Sequence, residues 1–197
     1  MLTHLCRSLL LFAVFVLPLQ ASENPGPLHL YVGAGWGTGD GSHDWDYSNQ
    51  KISTTHYDQD IKDFKLGVLF SPAVRLELAK TRVDMDVGTS RNDLSGMDLN
   101  LFFSIGSKTV RPYLMIGLGS YDYDDTASLV KGDDDLSGTA VNIGVGIFAP
   151  LAEHVELEIG YQEKRIEWQE MDSVTNDARL NLSTRMNYFN TGLRIIF

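Results

Sequence analysis

Charged side chains recur at every second position in several apolar stretches of this chain. Val74-Arg75-Leu76-Glu77-Leu78 and Val155-Glu156-Leu157-Glu158-Ile159 set Arg-x-Glu and Glu-x-Glu between aliphatic residues, and Arg111 and Arg194 stand in similar settings. A spacing of two puts the charges on one side of an extended strand and the aliphatic residues on the other. Charges on a buried face have to be paired. Arg75, Glu77, Arg111, Glu156, Glu158 and Arg194 are therefore expected to form an ion-pair network, with Arg194 meeting Glu158 or Glu156. Such a network either plugs a narrow interior or gates an ion path through it.

Other candidate chemistry is thinner. A Ser nucleophile needs a His and an acid. His43 follows Ser42 in an expected loop, with no acid partner or oxyanion donor that the sequence locates, while His29 and His154 fall at the opposite end. No catalytic residue, enzyme activity or cofactor is expected. Acidic residues gather in two expected loops: Asp40, Asp44 and Asp46, then Asp122, Asp124, Asp125, Asp133, Asp134 and Asp135. Asp84-Met85-Asp86-Val87-Gly88 has a partial likeness to a calcium loop, but it lacks the further ligands and the closing Glu, and no metal is expected. Trp45, Tyr47, Tyr57, Tyr121, Tyr123 and Trp168 are placed in or beside the same loops, as an aromatic girdle, as loop packing or as an adhesive surface.

Residues 1–21 are expected to be a cleaved Sec-type signal peptide, leaving a single domain over 22–197. Arg7 precedes an apolar run from Leu9 to Leu17, and Leu19-Gln20-Ala21 offers the cleavage point. That run is too short to cross about 30 Å of hydrocarbon as a helix. Cys6 is the only cysteine, so the mature chain has no disulfide and no thiol ligand. The chain has 16 basic and 26 acidic residues, and losing Arg7 makes the balance more acidic still. That argues against nucleic acid as a partner, because phosphate is neutralised by Lys and Arg. No later stretch holds roughly 18 consecutive apolar residues, so any membrane crossing has to use strands closed into a barrel.

The elements that position the charges read as eight strands. They are Leu28–Gly37, Asp60–Phe70, Val74–Arg82, Gly96–Ile105, Val110–Ser120, Thr139–Ala149, Val155–Arg165 and a last strand ending at Phe197. Long polar loops are expected at Asp40–Gln59, Val83–Ser95, Tyr121–Gly138 and Ile166–Leu182. Short turns are expected at Ser71-Pro72-Ala73, Gly106–Thr109 and Pro150–His154. One face of each strand is aliphatic. The other carries charges and glycines, such as Asp63, Lys65 and Gly67, Asp98 and Asn100, or Gly160, Gln162 and Lys164. Glycine is a poor strand former, and a glycine-lined face suits the crowded inside of a narrow barrel. A soluble lipocalin-type barrel would point its apolar face inward. The expected fold is therefore all-β: an eight-stranded antiparallel up-and-down transmembrane β-barrel with its aliphatic face outward.

With Leu30-Tyr31-Val32-Gly33-Ala34-Gly35-Trp36-Gly37, Pro112-Tyr113-Leu114 followed by Gly117 and Gly119, and the terminal strand to Phe197, the chain resembles the small eight-stranded outer-membrane proteins of the opacity-protein and OmpA/OmpX-like family. The resemblance covers the whole mature chain. It implies the Gram-negative outer membrane and a monomer. It also implies that Phe189, Leu193, Ile195 and Phe197 act as the signal read by the barrel-assembly machinery. Outer-membrane lipids and lipopolysaccharide are the implied surroundings. Lys80, Arg82 and Arg165 continue outward faces toward the outer rim, where cations contact lipopolysaccharide phosphates or extend into water. The family includes adhesins, envelope stabilisers and small channels. A structural or surface-interaction role through long acidic external loops is expected, with a narrow low-conductance porin as the alternative.

Overall fold

The computed structural model describes residues 28–47, 50–87, 90–105, 109–123, 136–172 and 179–197. The expected signal peptide and Asp124, Asp125 and Asp133 to Asp135 lie outside these. Among the described residues, nine strands form one antiparallel sheet: β1 (His29–Tyr47), β2 (Gln50–Ser71), β3 (Val74–Val87), β4 (Ser90–Ser104), β5 (Arg111–Tyr123), β6 (Leu136–Ala152), β7 (Val155–Trp168), β8 (Met171–Asp172) and β9 (Arg179–Ile196). Eight are long. The two-residue β8 pairs with β9, through Met171↔Leu180 and Asp172↔Arg179. Each long strand pairs with its neighbour, and β1 also pairs with β9 from Tyr31↔Ile196 to Tyr47↔Leu180. That ladder closes the sheet into an eight-stranded barrel, as expected. Two prolines stand where a missing donor is tolerated, at a strand start or an irregularity: Pro112 is the second residue of β5, and Pro150 lies at the register shift before Ala152.

Near the short turns, the aliphatic residues face out. Val145 is 53% exposed and Leu193 51%, and Leu30, Leu66, Leu114 and Ile159 stand in the same belt. Soluble monomers rarely expose so continuous an apolar surface; facing hydrocarbon, it is the lipid-contacting belt of a barrel. The opposite face is buried and polar, with Lys65, Arg75, Glu77, Asp98, Asn142, Glu158 and Arg194 inside. Gly67 shows why glycine lines it, since a Cβ there would overlap the Tyr31 ring.

Above the belt, the sidedness reverses. Apolar residues occupy even positions low in β3 (Val74, Leu76, Leu78) and odd ones higher up (Val83, Met85). On β9 they pass from Leu193 and Ile195 outside to Leu182 and Met186 inside. The interior at this height is an apolar core of Ile61, Val83, Met85, Leu94, Leu136, Ile166 and Leu182 with Tyr57, Tyr121, Tyr123 and Trp168. The outside carries Asp40, Asp58, Asp60, Asp86 and Asp122. The barrel therefore passes from a lipid-facing lower part to a water-facing upper part.

That reversal corrects several sequence expectations. Most of the expected loops Asp40–Gln59 and Val83–Ser95 are strand, and strand also covers Tyr121–Tyr123, Leu136–Gly138 and Ile166–Trp168. Alternation persists there with its apolar parity switched, because water replaces lipid outside. The Asp84–Val87 part of the calcium-loop likeness is strand β3. Met85 is in the core, and Asp84 bonds Lys62. Tyr57, Tyr121, Tyr123 and Trp168 fill the interior, and Trp45 packs against them. They form neither a girdle nor an adhesive surface.

His43 is also not in a loop. It lies on β1, 5% exposed, with Nδ1 2.8 Å from Thr184 Oγ1 and its ring 4.6 Å from that of Tyr57. Thr184 Oγ1 accepts a further bond from Trp168 Nε1 at 2.7 Å. Burial holds the His43 pKa down to about 4, against a smaller opposing pull from Asp44. The unfolded value is about 6.5, so the unfolded chain binds the proton more readily. The stability supplied by neutral His43 is complete above that value and is lost as pH falls toward about 4. The loss is roughly 3 kcal/mol. Urea unfolding in micelles at pH 7 and pH 4 should show a smaller acid destabilisation for His43→Phe than for the native chain. Equal pH slopes would refute this assignment.

Candidate functional site: the lumen

The lumen is filled at three levels. The lowest lies in the half nearest the short turns. Arg194 on β9 donates to Glu77 Oε2 on β3 through Nε (3.0 Å) and Nη2 (2.7 Å), and its Nη2 lies 2.8 Å from Glu158 Oε2 on β7. Lys65 on β2 donates to the same Glu158 oxygen at 2.7 Å and lies 3.4 Å from Asp63. Arg75 donates to Glu156 Oε1 at 2.6 Å, and Arg111 binds the other oxygen of Glu156. Tyr31 and Tyr113 donate to Glu77 and Glu158 at 3.1 and 2.9 Å. Four cations thus meet four carboxylates, and the network is neutral as built.

The aromatic residues complete this layer. The Arg75 guanidinium lies 3.7 Å from the Phe148 ring centroid and that of Arg194 4.8 Å from it. Tyr113 stacks on Phe148 at 4.4 Å. Cations over ring faces gain from the ring quadrupole, more so when desolvated. Each charge of the layer therefore has a counter-charge, supplemented by hydrogen bonds and ring contacts, while Arg75 Nε, Arg111 Nε and Arg194 Nη1 are left without a hydrogen-bond acceptor.

A second level sits higher. Lys164 on β7 donates to Asp98 Oδ2 on β4 at 2.7 Å and also to the Tyr121 hydroxyl. Asp98 accepts further bonds from Tyr121 (2.6 Å), Thr81 (2.9 Å) and Asn142 (2.8 Å). Above it lies the apolar core with His43 and Trp168. Among the described residues, no group of three or more His, Cys, Asp or Glu side chains is placed to hold an ion.

All six lumen charges named from sequence lie in the lowest layer. Arg194 meets Glu158, while Glu156 instead binds Arg75 and Arg111. Lys65, Asp63, Asp98 and Lys164 join them as pairing partners that the sequence reading placed on the polar faces without assigning a role. Their signal was the same alternation that singled out Arg75. Outside, Lys80 is exposed beside Phe64 and Met97. Arg82 bonds Asp93 at 2.5 Å and lies 3.4 Å from Asp84. Arg165 lies 2.7 Å from Glu163, directly opposite Arg185 on β9. Phe189, Leu193, Ile195 and Phe197 face outward at 48–67% exposure.

A closed barrel with an outward apolar belt and a polar lumen defines an integral outer-membrane barrel. A family model described as the outer membrane protein beta-barrel domain matches residues 8–186. The chain belongs to that family and resides in the outer membrane. No curated protein matches it. Among solved structures, the outer membrane protein OprG from Pseudomonas aeruginosa is similar at 14% identity and a TM-score of 0.50, covering 88% of this chain and 97% of that one. Neisserial surface protein A is similar at 14% identity and a TM-score of 0.47, covering 88% and 99%. The first likeness extends to the fold alone, and the second is too distant to carry an argument.

Removing one member of the lowest layer leaves a buried charge without its partner, which costs about 3–5 kcal/mol. Arg194→Met strands Glu77, removes one of the two cations on Glu158 and should lower the urea midpoint accordingly. Asp93→Asn, which breaks the exposed bridge to Arg82, should change it by less than about 1 kcal/mol. Equal losses from the two would refute the network's role in holding the barrel.

Proposed function

We propose that this protein is a non-conducting outer-membrane barrel whose role is structural or interactive and is carried by its water-facing upper part. The observation behind this reading is the doubly filled interior: a neutral network of ion pairs below and a buried, largely apolar core above. Eight strands enclose a space that side chains about fill. An ion crossing it would have to break buried ion pairs and then enter an apolar, aromatic segment, where an unpaired charge is costly. Catalysis has no comparable support. His43, the sequence's one His beside a Ser, is buried against Thr184 and Tyr57.

The same reading includes three partners. The assembly machinery reads the outward aromatic strand end at Phe189 and Phe197. The belt contacts outer-membrane lipids. Lys80, Arg82 and Arg165, just above the belt, contact lipopolysaccharide phosphates, and Lys62 joins them because it lies opposite Arg82 on β2. The protein acts as a monomer and engages no nucleic acid.

Refolded protein in planar bilayers should show no steady conductance, with heat-modifiable gel migration confirming the fold; a reproducible open channel would overturn the closed-lumen reading. Lys80→Ala with Arg82→Ala should lower the lipopolysaccharide that co-purifies with the barrel. Unchanged retention would remove those two residues from the contact.

A further inference from the structure

The lowest layer of the lumen is neutral as a whole, but its charges are unevenly placed. Arg75 and Arg111 hold the two oxygens of one carboxylate, Glu156. Among the described residues, this group has two cations and one carboxylate. Lys65 and Arg194 share Glu158, Arg194 also binds Glu77, and Lys65 lies 3.4 Å from Asp63, so the second group has two cations and three carboxylates. The surplus is one positive charge in the first group and one negative charge in the second.

The positive group is the one beside the short turns. Arg75 and Glu156 are the second residues of β3 and β7, and Arg111 opens β5. Asp63, which balances the total, lies deeper. Leu69 is the ladder partner of Arg75, and Asp63 stands six residues from Leu69 along β2, roughly 20 Å of strand. Coulomb attraction falls with distance, so Asp63 offsets the surplus at the mouth only weakly. The Arg111 side chain is 17% exposed and puts the group in touch with water at this end.

The same place has unused donors. Arg75 Nε, Arg111 Nε and Arg194 Nη1 are buried and have no acceptor. Arg75 and Arg194 are 1% and 0% exposed. Their guanidinium groups lie 3.7 and 4.8 Å from the centroid of the Phe148 ring, and Arg111 is directly opposite Phe148 in the β5–β6 ladder. Three guanidinium groups with a spare N–H thus gather around one phenyl ring, which offers no lone pair. Buried donors in native proteins nearly always have an acceptor, and a charged donor is the costliest to leave bare. Water would accept these bonds but leave the surplus charge in place. An anion answers both demands. It has to be small, because side chains about fill an eight-stranded barrel, and monovalent, because the surplus is a single charge.

We propose that the mouth of the lumen beside the short turns holds a small monovalent anion of halide size, bound by the Nε–H groups of Arg75 and Arg111 next to Phe148. The site stands whether or not the barrel conducts. The probe is chloride, exchanged for the much larger gluconate at constant ionic strength, with isotope-labelled, refolded protein in micelles. The Nε–H resonances of Arg75 and Arg111 should move saturably as chloride replaces gluconate. That of Arg194, whose Nε is bonded to Glu77 at 3.0 Å, should stay in place. Arg111→Gln removes the surplus and one donor, and should abolish the saturable movement at Arg75. Glu156→Gln raises the surplus, and should tighten chloride binding at least about tenfold. Resonances that stay still, as with water alone on these donors, would overturn the proposal. So would a drift without saturation, or weaker chloride binding in Glu156→Gln. The titration of the native protein decides by itself if either variant fails to fold.

Discussion

Hydrocarbon offers no hydrogen-bond partners, so a backbone that crosses it has to pair its N–H and C=O groups within the protein. The β1–β9 ladder meets that demand by removing the last sheet edge from the lipid zone. The rest of the architecture follows from closure. Side chains on one parity face lipid and have to be apolar, and those on the other share a narrow interior. Glycine at positions such as Gly67 makes room there for Tyr31, and ionised groups are tolerated because each has a counter-charge within reach.

The charged layer is best understood as a neutral packing unit. Buried ion pairs add little net stability over apolar replacements, but they are costly to break. Here they join β2, β3, β5, β7 and β9 across the lumen, with tyrosines and Phe148 filling the space between guanidinium groups. The layer thereby ties opposite walls of the barrel together at the height where no backbone bond can do so.

Beyond the lipid, the same strands face a different solvent and exchange faces. Aspartates on the outside and an aromatic-aliphatic core inside make the upper barrel resemble a small soluble one. It presents exposed aspartates on paired strands to the exterior. Among the described residues, β2 runs on past its last pair with β3 and β4 past its last pair with β5, at a height where the lipid constraint no longer applies.

Much of this was legible along the chain. Alternation in Val74–Leu78, Val155–Ile159 and Phe189–Phe197 determined the strands, the outward face and the charges that point inward, because side-chain direction in a strand is a local property. Two things were decided only by the closed structure. Strand length was hidden where the apolar parity switches at Val83 and Tyr57, since the pattern reverses when water replaces lipid. The pairing of charges was hidden because it depends on barrel register: Arg194 reaches Glu77 across 117 residues of sequence, a proximity set by how the walls face one another and by nothing in either strand alone.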